Sequence, residues 1–162
     1  MGSLYAQQDK SKRPSPPAKA EATIGDLQVT IEYNSPAVKG RTVWGNLVPY
    51  GKVWRTGANE ATTFSISHDA QVQGHHLPAG KYALFTIPGE EEWVLIFNKV
   101  ADQWGAYNYN EKEDALRVAA KAGSSPEFNE RLTFEIATRE TVGFVNLKWE
   151  NLAVGFSVKK AD

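Results

Sequence analysis

The stretch "VWRTGANEATT", from Val53 to Thr63, sets an arginine, an asparagine and a glutamate around one glycine. Arg55 carries a fixed fork of donors suited to a carboxylate or phosphate. Asn59 can donate to an oxyanion or a hydroxyl, and Glu60 is an acceptor and a general base. Two chemistries follow, binding of a polar ligand and hydrolysis with Glu60 as the candidate catalytic group. The same residue types also suit a pinned turn. In that reading Gly57 and Asn59 bend the chain, Arg55 pairs with Glu60 across the bend, and Trp54 covers the edge of the core.

A second constellation is "QWGAYNYN", where Trp104, Tyr107 and Tyr109 alternate with Gln103, Asn108 and Asn110 around Gly105 and Ala106. Flat rings with amides between them are the parts of a carbohydrate-binding surface, the rings stacking on C–H faces and the amides reading hydroxyls. The structural alternative folds Trp104 and one tyrosine inward as a plug. Together the stretches predict a polar pocket at Arg55, Asn59 and Glu60 with an aromatic rim of Trp104, Tyr107 and Tyr109. A carbohydrate or small polar molecule is the expected ligand.

Other chemistry has less to build on. His75 and His76 are adjacent, so on a strand they point to opposite faces, and His68 with Asp69 would have to complete any metal site. "QGHHLPAG" reads as an exposed hairpin, and no metal is expected. A G-x-S-x-G elbow, an H-x-x-E-H helix and a phosphate-cradling loop are all missing from the sequence, so no cofactor is expected. Glu60 with Glu150 would suit glycoside cleavage only at the right separation. Lys52, Asn59 and Glu60 have the residue types of an intramolecular isopeptide crosslink, which would make the chain a structural module.

The elements that must position these groups show a period of two. Leu27, Val29, Ile31 and Tyr33 alternate with Gln28, Thr30 and Glu32, the pattern of a strand with one face on a core. "RTVWGNLVPYGKVW" is broken by Gly45, Pro49 and Gly51 into an irregular crossing segment. A strand follows at Thr63–Ser67, then one at Lys81–Ile87, and the run Trp93–Phe97 is apolar enough to be buried on both faces. "EKEDALRVAAKAG" carries the one helix signal, Ala115, Leu116, Ala119 and Ala120 forming a stripe before Gly123, although a strand around "ALRVAAKA" fits the same letters. "RLTFEIATR", "TVGFVNLKW" and "LAVGFSVK" alternate again. Eight or nine short strands and at most one short helix predict an all-β, antiparallel β-sandwich, jelly-roll topology being one form of it.

At 162 residues the chain suits one domain, expected over residues 21–160. Its 18 basic and 19 acidic residues nearly balance, which argues against a nucleic-acid partner. Cysteine is absent, which removes disulfides and thiolate chemistry, and no apolar run reaches the roughly 20 residues of a membrane span. Residues 1–20, rich in Lys, Ser, Pro and Ala, read as a flexible tether, with Met1–Ser3 an expression scar. "LYAQQ" looks like the start of a mature chain after a secretory signal is removed, which favours a periplasmic or extracellular location.

The blocks "SPAVKGRTVWGNLVPYGKVWRTGANEAT", "LPAGKYALFTIPGEEEWVLIFNK", "QWGAYNY" and "VNLKWENLAV" resemble the bacterial DUF2911 family over about Glu21 to Lys159. The resemblance implies an exported β-rich protein and carries over no catalytic residue, because the family is one of unknown function. The expectation is an exported small binding module. A hydrolase using the Glu, Arg and Asn group and a crosslinked structural module are the alternatives.

Overall fold

Alternation of apolar and polar residues becomes nine strands in the computed structural model, which describes residues 9–162. They are β1 (Pro17–Ile24), β2 (Leu27–Asn34), β3 (Thr63–Ile66), β4 (Ala70–Val72), β5 (His75–Leu77), β6 (Gly80–Ile87), β7 (Glu92–Asn98), β8 (Asp114–Arg139) and β9 (Val142–Lys160). All pair antiparallel in one sheet of order β1-β2-β3-β6-β7-β8-β9-β4-β5. Among the described residues no helix reaches seven residues, and none is long and apolar enough to cross a membrane. The expected all-β antiparallel class is what forms, its layers supplied by a single sheet that curls over.

The long hairpin β8–β9 makes the curl. Asp114–Lys121 pairs with β7, whereas Ala122–Arg139 pairs with β9, with register shifts at Ser124, Asn129 and Thr133 that bend the strand between its two partners. Rings then meet across the layers. Tyr33 of β2 lies 4.9 Å from Phe134 of β8, and Phe156 of β9 lies 6.1 Å from Phe64 and 6.2 Å from Phe97. The chain leaving β2 crosses to the same region, where Val38 donates to the Glu130 carbonyl and Leu132 donates to that of Pro36.

The core has two parts because the central strands are covered on both faces. Trp93, Leu95 and Phe97 face the main core, and Ile96 faces a smaller cluster with Ala61, Ala83 and Phe85, closed by Val53, Ala106 and Tyr109 from two loops. The expectation of burial on both faces for Trp93–Phe97 holds. Four of the five tryptophans form one knot inside, Trp44, Trp54, Trp93 and Trp149, with ring centroids 5.3–6.1 Å apart.

One open reading resolves and one expectation needs correction. "ALRVAAKA" is strand: Val118 and Ala120 are buried while Arg117, Ala119 and Lys121 are exposed, and only Glu111–Glu113 makes a single 3-10 turn. Its alanines mimic a helical stripe, but pairing with the edge of β7 overrides local propensity. The second concerns the chain start. Met1–Gln8, including the expected scar, lie outside the described residues, but Lys10–Lys12 form a 3-10 turn and β1 begins at Pro17. Ala18 and Ala20 pack on the core, so the second half of the expected tether is part of the domain.

Candidate functional site

The loop holding "WRTGANE" is fixed by unusual backbone. Thr56 and Asn59 both adopt left-handed conformations, φ 60° in each case, and Thr56 is fully buried. For a β-branched residue that conformation is strained, and it is held here by the Thr56 hydroxyl against the Trp54 carbonyl and Thr86, and by the Thr62 hydroxyl donating to the Thr56 carbonyl at 2.8 Å. Gly57 is required by close approach. A Cβ there would meet the Asn34 carbonyl at 3.0 Å and the Thr62 hydroxyl at 3.1 Å.

This loop docks on the aromatic one. Glu60 forms an antiparallel bridge with Trp104, Ala61 donates to the Gln103 carbonyl, and Gly105 donates to that of Asn59. Two adjoining hollows of about 220 and 280 Å³ open beside the bridge and share Glu60, Ala61, Thr63 and Asp102. The first is completed by Lys10, Glu32, Asn34 and Lys81, the second by Gln103 and Trp104.

Glu60 is an ion-paired carboxylate, but its partner is not Arg55. Arg13 Nη1 donates to it at 2.7 Å and Lys10 Nζ lies at 3.4 Å, correcting the expected pairing across the turn. Burial raises the Glu60 pKa, but its own backbone N–H, Arg13 and Lys10 more than offset this and hold the carboxyl below its ordinary value. Asn59 uses its amide to hold the Ser15 carbonyl at 3.2 Å. The Arg13 guanidinium lies 5.9 Å from the Trp104 ring centroid.

The other candidates sit apart from this group. Arg55 lies against Gly105, its Nη1 3.9 Å from where a Cβ on that glycine would sit, and its side chain makes no hydrogen bond or ion pair among the described residues. Tyr107 is 84% exposed and leans over the same glycine. Tyr109 is the plug: its ring packs 4.9 Å from Phe85, its hydroxyl donates to Asp114 Oδ2, and Arg117 donates to that hydroxyl at 2.8 Å. Burial and the Asp114 carboxylate push its pKa up to about 12. The expected six-residue pocket is therefore a cluster of Asn59, Glu60 and Trp104, with Arg55, Tyr107 and Tyr109 around its margin.

Lys10, Arg13, Asn34 and Asp102 are the residues that sequence reasoning missed. The only signal for the first two was the basic run "KSKR", which as easily reads as solvated tether. Elsewhere, Glu150 lines a different hollow with Trp44 and Glu90, and Lys52 is exposed. His75 and His76 lie in β5 of an exposed hairpin, with His76 3.8 Å from Asp69 and His68 bonded to Ser67. Among the described residues no three His, Cys, Asp or Glu side chains gather as a metal site would require.

Comparison with curated proteins and with solved structures finds no match. A family model described as "Protein of unknown function (DUF2911)" matches residues 15–158, nearly the whole chain, through the strands and both loops described above, and the protein belongs to that family.

Proposed function

We propose that the protein is an exported binding module that takes a small polar ligand, carbohydrates being the favoured class, in the hollows around Glu60, with Trp104 as the platform. One observation carries this reading. Four tryptophans pack together at the core, Trp93 and Trp149 buried and Trp44 and Trp54 partly so, while Trp104 is 55% exposed and lines the second hollow beside Glu60. An indole left in water forgoes the burial that the others gain, and it stands among groups suited to hydroxyls: the Glu60 and Asp102 carboxylates, the Gln103 amide, and Lys10 and Lys81 nearby. The strained Thr56 conformation within the same loop adds weight, because such backbone persists where geometry is over-determined.

Binding is favoured over hydrolysis by the state of Glu60. A general acid needs a raised pKa, and a base needs a free lone pair, whereas this carboxylate has a lowered pKa and two cations on its oxygens.

The test is a thermal-shift titration of the purified protein against neutral and charged oligosaccharides and small acids. A ligand at a hundred times its Kd stabilises by about 2.7 kcal/mol. The expected result is a saturable rise in Tm for at least one saccharide, lost in Trp104→Ala, whose own ligand-free Tm stays within about 2 °C of wild type because so exposed a ring contributes little to the core. No shift from any class, or a shift that Trp104→Ala retains in full, overturns the assignment.

A further inference from the structure

The proposed site already holds a ligand-like group, and its chemistry narrows what the site accepts; this inference rests on the binding reading above. Arg13 Nη1 meets Glu60 Oε1 at 2.7 Å and Asn34 Oδ1 at 3.5 Å, and its guanidinium carbon stands 5.9 Å from the centre of the Trp104 ring. A carboxylate, an amide oxygen and an aromatic face thus converge on one planar cation. Those are the three kinds of group that recognise guanidinium, by charge-assisted hydrogen bonding, neutral acceptance and cation–π attraction. We propose that Glu60, Asn34 and Trp104 form a guanidinium-binding subsite for the arginine of an external extended peptide, and that Arg13 fills it in cis.

The backbone around Arg13 shows what kind of peptide fits. Arg13 has φ −63° and ψ 147°, a polyproline II conformation, and is followed by "PSPP". The carbonyls of that run are read in turn: Arg131 donates to Pro14 at 2.9 Å, Asn59 to Ser15 at 3.2 Å, and the Ser35 backbone to Pro16 at 2.9 Å. The arginine thus enters the subsite from an extended segment, and because the chain's own Pro14–Pro16 keep those three donors, an external peptide gains the arginine subsite alone. Charge points the same way. With Lys10 counted as part of the cis occupant, the first hollow is lined by Glu32, Glu60 and Asp102 against Lys81 alone.

The cis contacts differ in how firmly they hold. The Lys10 side chain is 59% exposed and that of Glu60 is 38% exposed, so water screens that pair, whereas the Arg13 side chain is 20% exposed and its 2.7 Å contact is the one an external arginine must displace. An intramolecular occupant of that strength lowers the affinity for an external arginine by a modest factor.

The experiment is an NMR titration of the full chain with a capped Arg-Pro-Ser-Pro peptide, following the Trp104 indole N–H, with the citrulline peptide as the neutral analogue. Wild type, the Lys10→Ala/Arg13→Ala pair, and that pair combined with Glu60→Gln are compared. The expected result is binding about five- to tenfold tighter in the double variant than in wild type, weakened about tenfold by adding Glu60→Gln, and absent with citrulline. Arg13→Gln, which keeps the packed stem, serves if the double variant does not fold. Equal affinity in wild type and the variants, or binding indifferent to Glu60 or to the peptide's charge, overturns the proposal. A neutral saccharide that moves the Trp104 signal where the peptide moves nothing overturns the guanidinium subsite and leaves the binding module standing. Peptide binding without saccharide binding upholds the subsite and replaces the favoured ligand class.

Discussion

At the scale of single residues, what decides each role is the partner that the fold supplies. Tyr109, expected on a ligand rim, is half-buried with its hydroxyl between Asp114 and Arg117. Its pKa is raised to about 12, by burial first and by the Asp114 carboxylate next, so the folded state favours the neutral phenol. A raised folded pKa means that this stabilisation is fully present below the unfolded value near 10 and is lost as pH climbs from about 10 to 12. Tyr109→Phe is expected to cost on the order of 1–2 kcal/mol at pH 8, for two hydrogen bonds to charged groups at a partly exposed site, and to make the alkaline decline shallower. Urea unfolding of both proteins at pH 8, 10 and 11.5 reads this directly, and parallel declines would deny Tyr109 the role. Tyr33 and Tyr82, whose pKa values burial also raises, keep part of the decline in the variant. Sequence made Glu60, Asn59 and Trp104 legible because they lie in compact polar or aromatic stretches. It hid Arg13, which reaches Glu60 across 47 positions of chain with no local period to announce it.

At the scale of elements, the alternation of β2 and the doubly buried run of β7 were readable because each has its own period or composition, which burial then enforces. The first half of β8 was not, since alanine suits either element and the choice falls to its neighbour. Turns show the same dependence on partners that the sequence does not display. Gly89 joins β6 to β7, and a Cβ there would lie 2.3 Å from the Glu92 carbonyl oxygen, a backbone atom that cannot step aside without moving the hairpin. Gly123 in β8 has only the Ala153 carbonyl at 3.9 Å. Gly89→Ala is therefore expected to destabilise by about 1–3 kcal/mol, a fall in Tm of several degrees for a domain of this size, whereas Gly123→Ala stays within about 0.5 kcal/mol. Equal melting temperatures for the two variants would show that the β6–β7 turn relaxes freely.

For the whole molecule, the first described residues close the domain rather than trail from it. Pro14, Ser15 and Pro16 each lend a carbonyl to a different part of the domain, through Arg131 of β8, Asn59 of the loop before β3 and Ser35 just after β2, and Arg13 sits on the candidate site. The tryptophan knot joins β7, β9 and the loop before β3, so layers and loops are expected to unfold as one cooperative unit. Among the described residues, removing residues 1–13 leaves the knot, both core clusters and the three carbonyl contacts in place, and takes away the two cations on Glu60, the Arg13 contact to Asn34 and the cover on Trp104. The expected outcome is a single cooperative transition with Tm lowered by no more than about 4 °C, since one exposed ion pair, one partly buried one and a cation–π contact together contribute little. Removing residues 1–16 also strips the Ser35 N–H and the Asn59 amide of their acceptors, while the exposed Arg131 keeps the Ser35 carbonyl at 2.8 Å, and an additional loss of about 1–3 kcal/mol is expected from the two orphaned donors. Calorimetry of the two truncations separates the cases: a step between them places the domain boundary at Pro14, and no step would return this segment to the status of a tether.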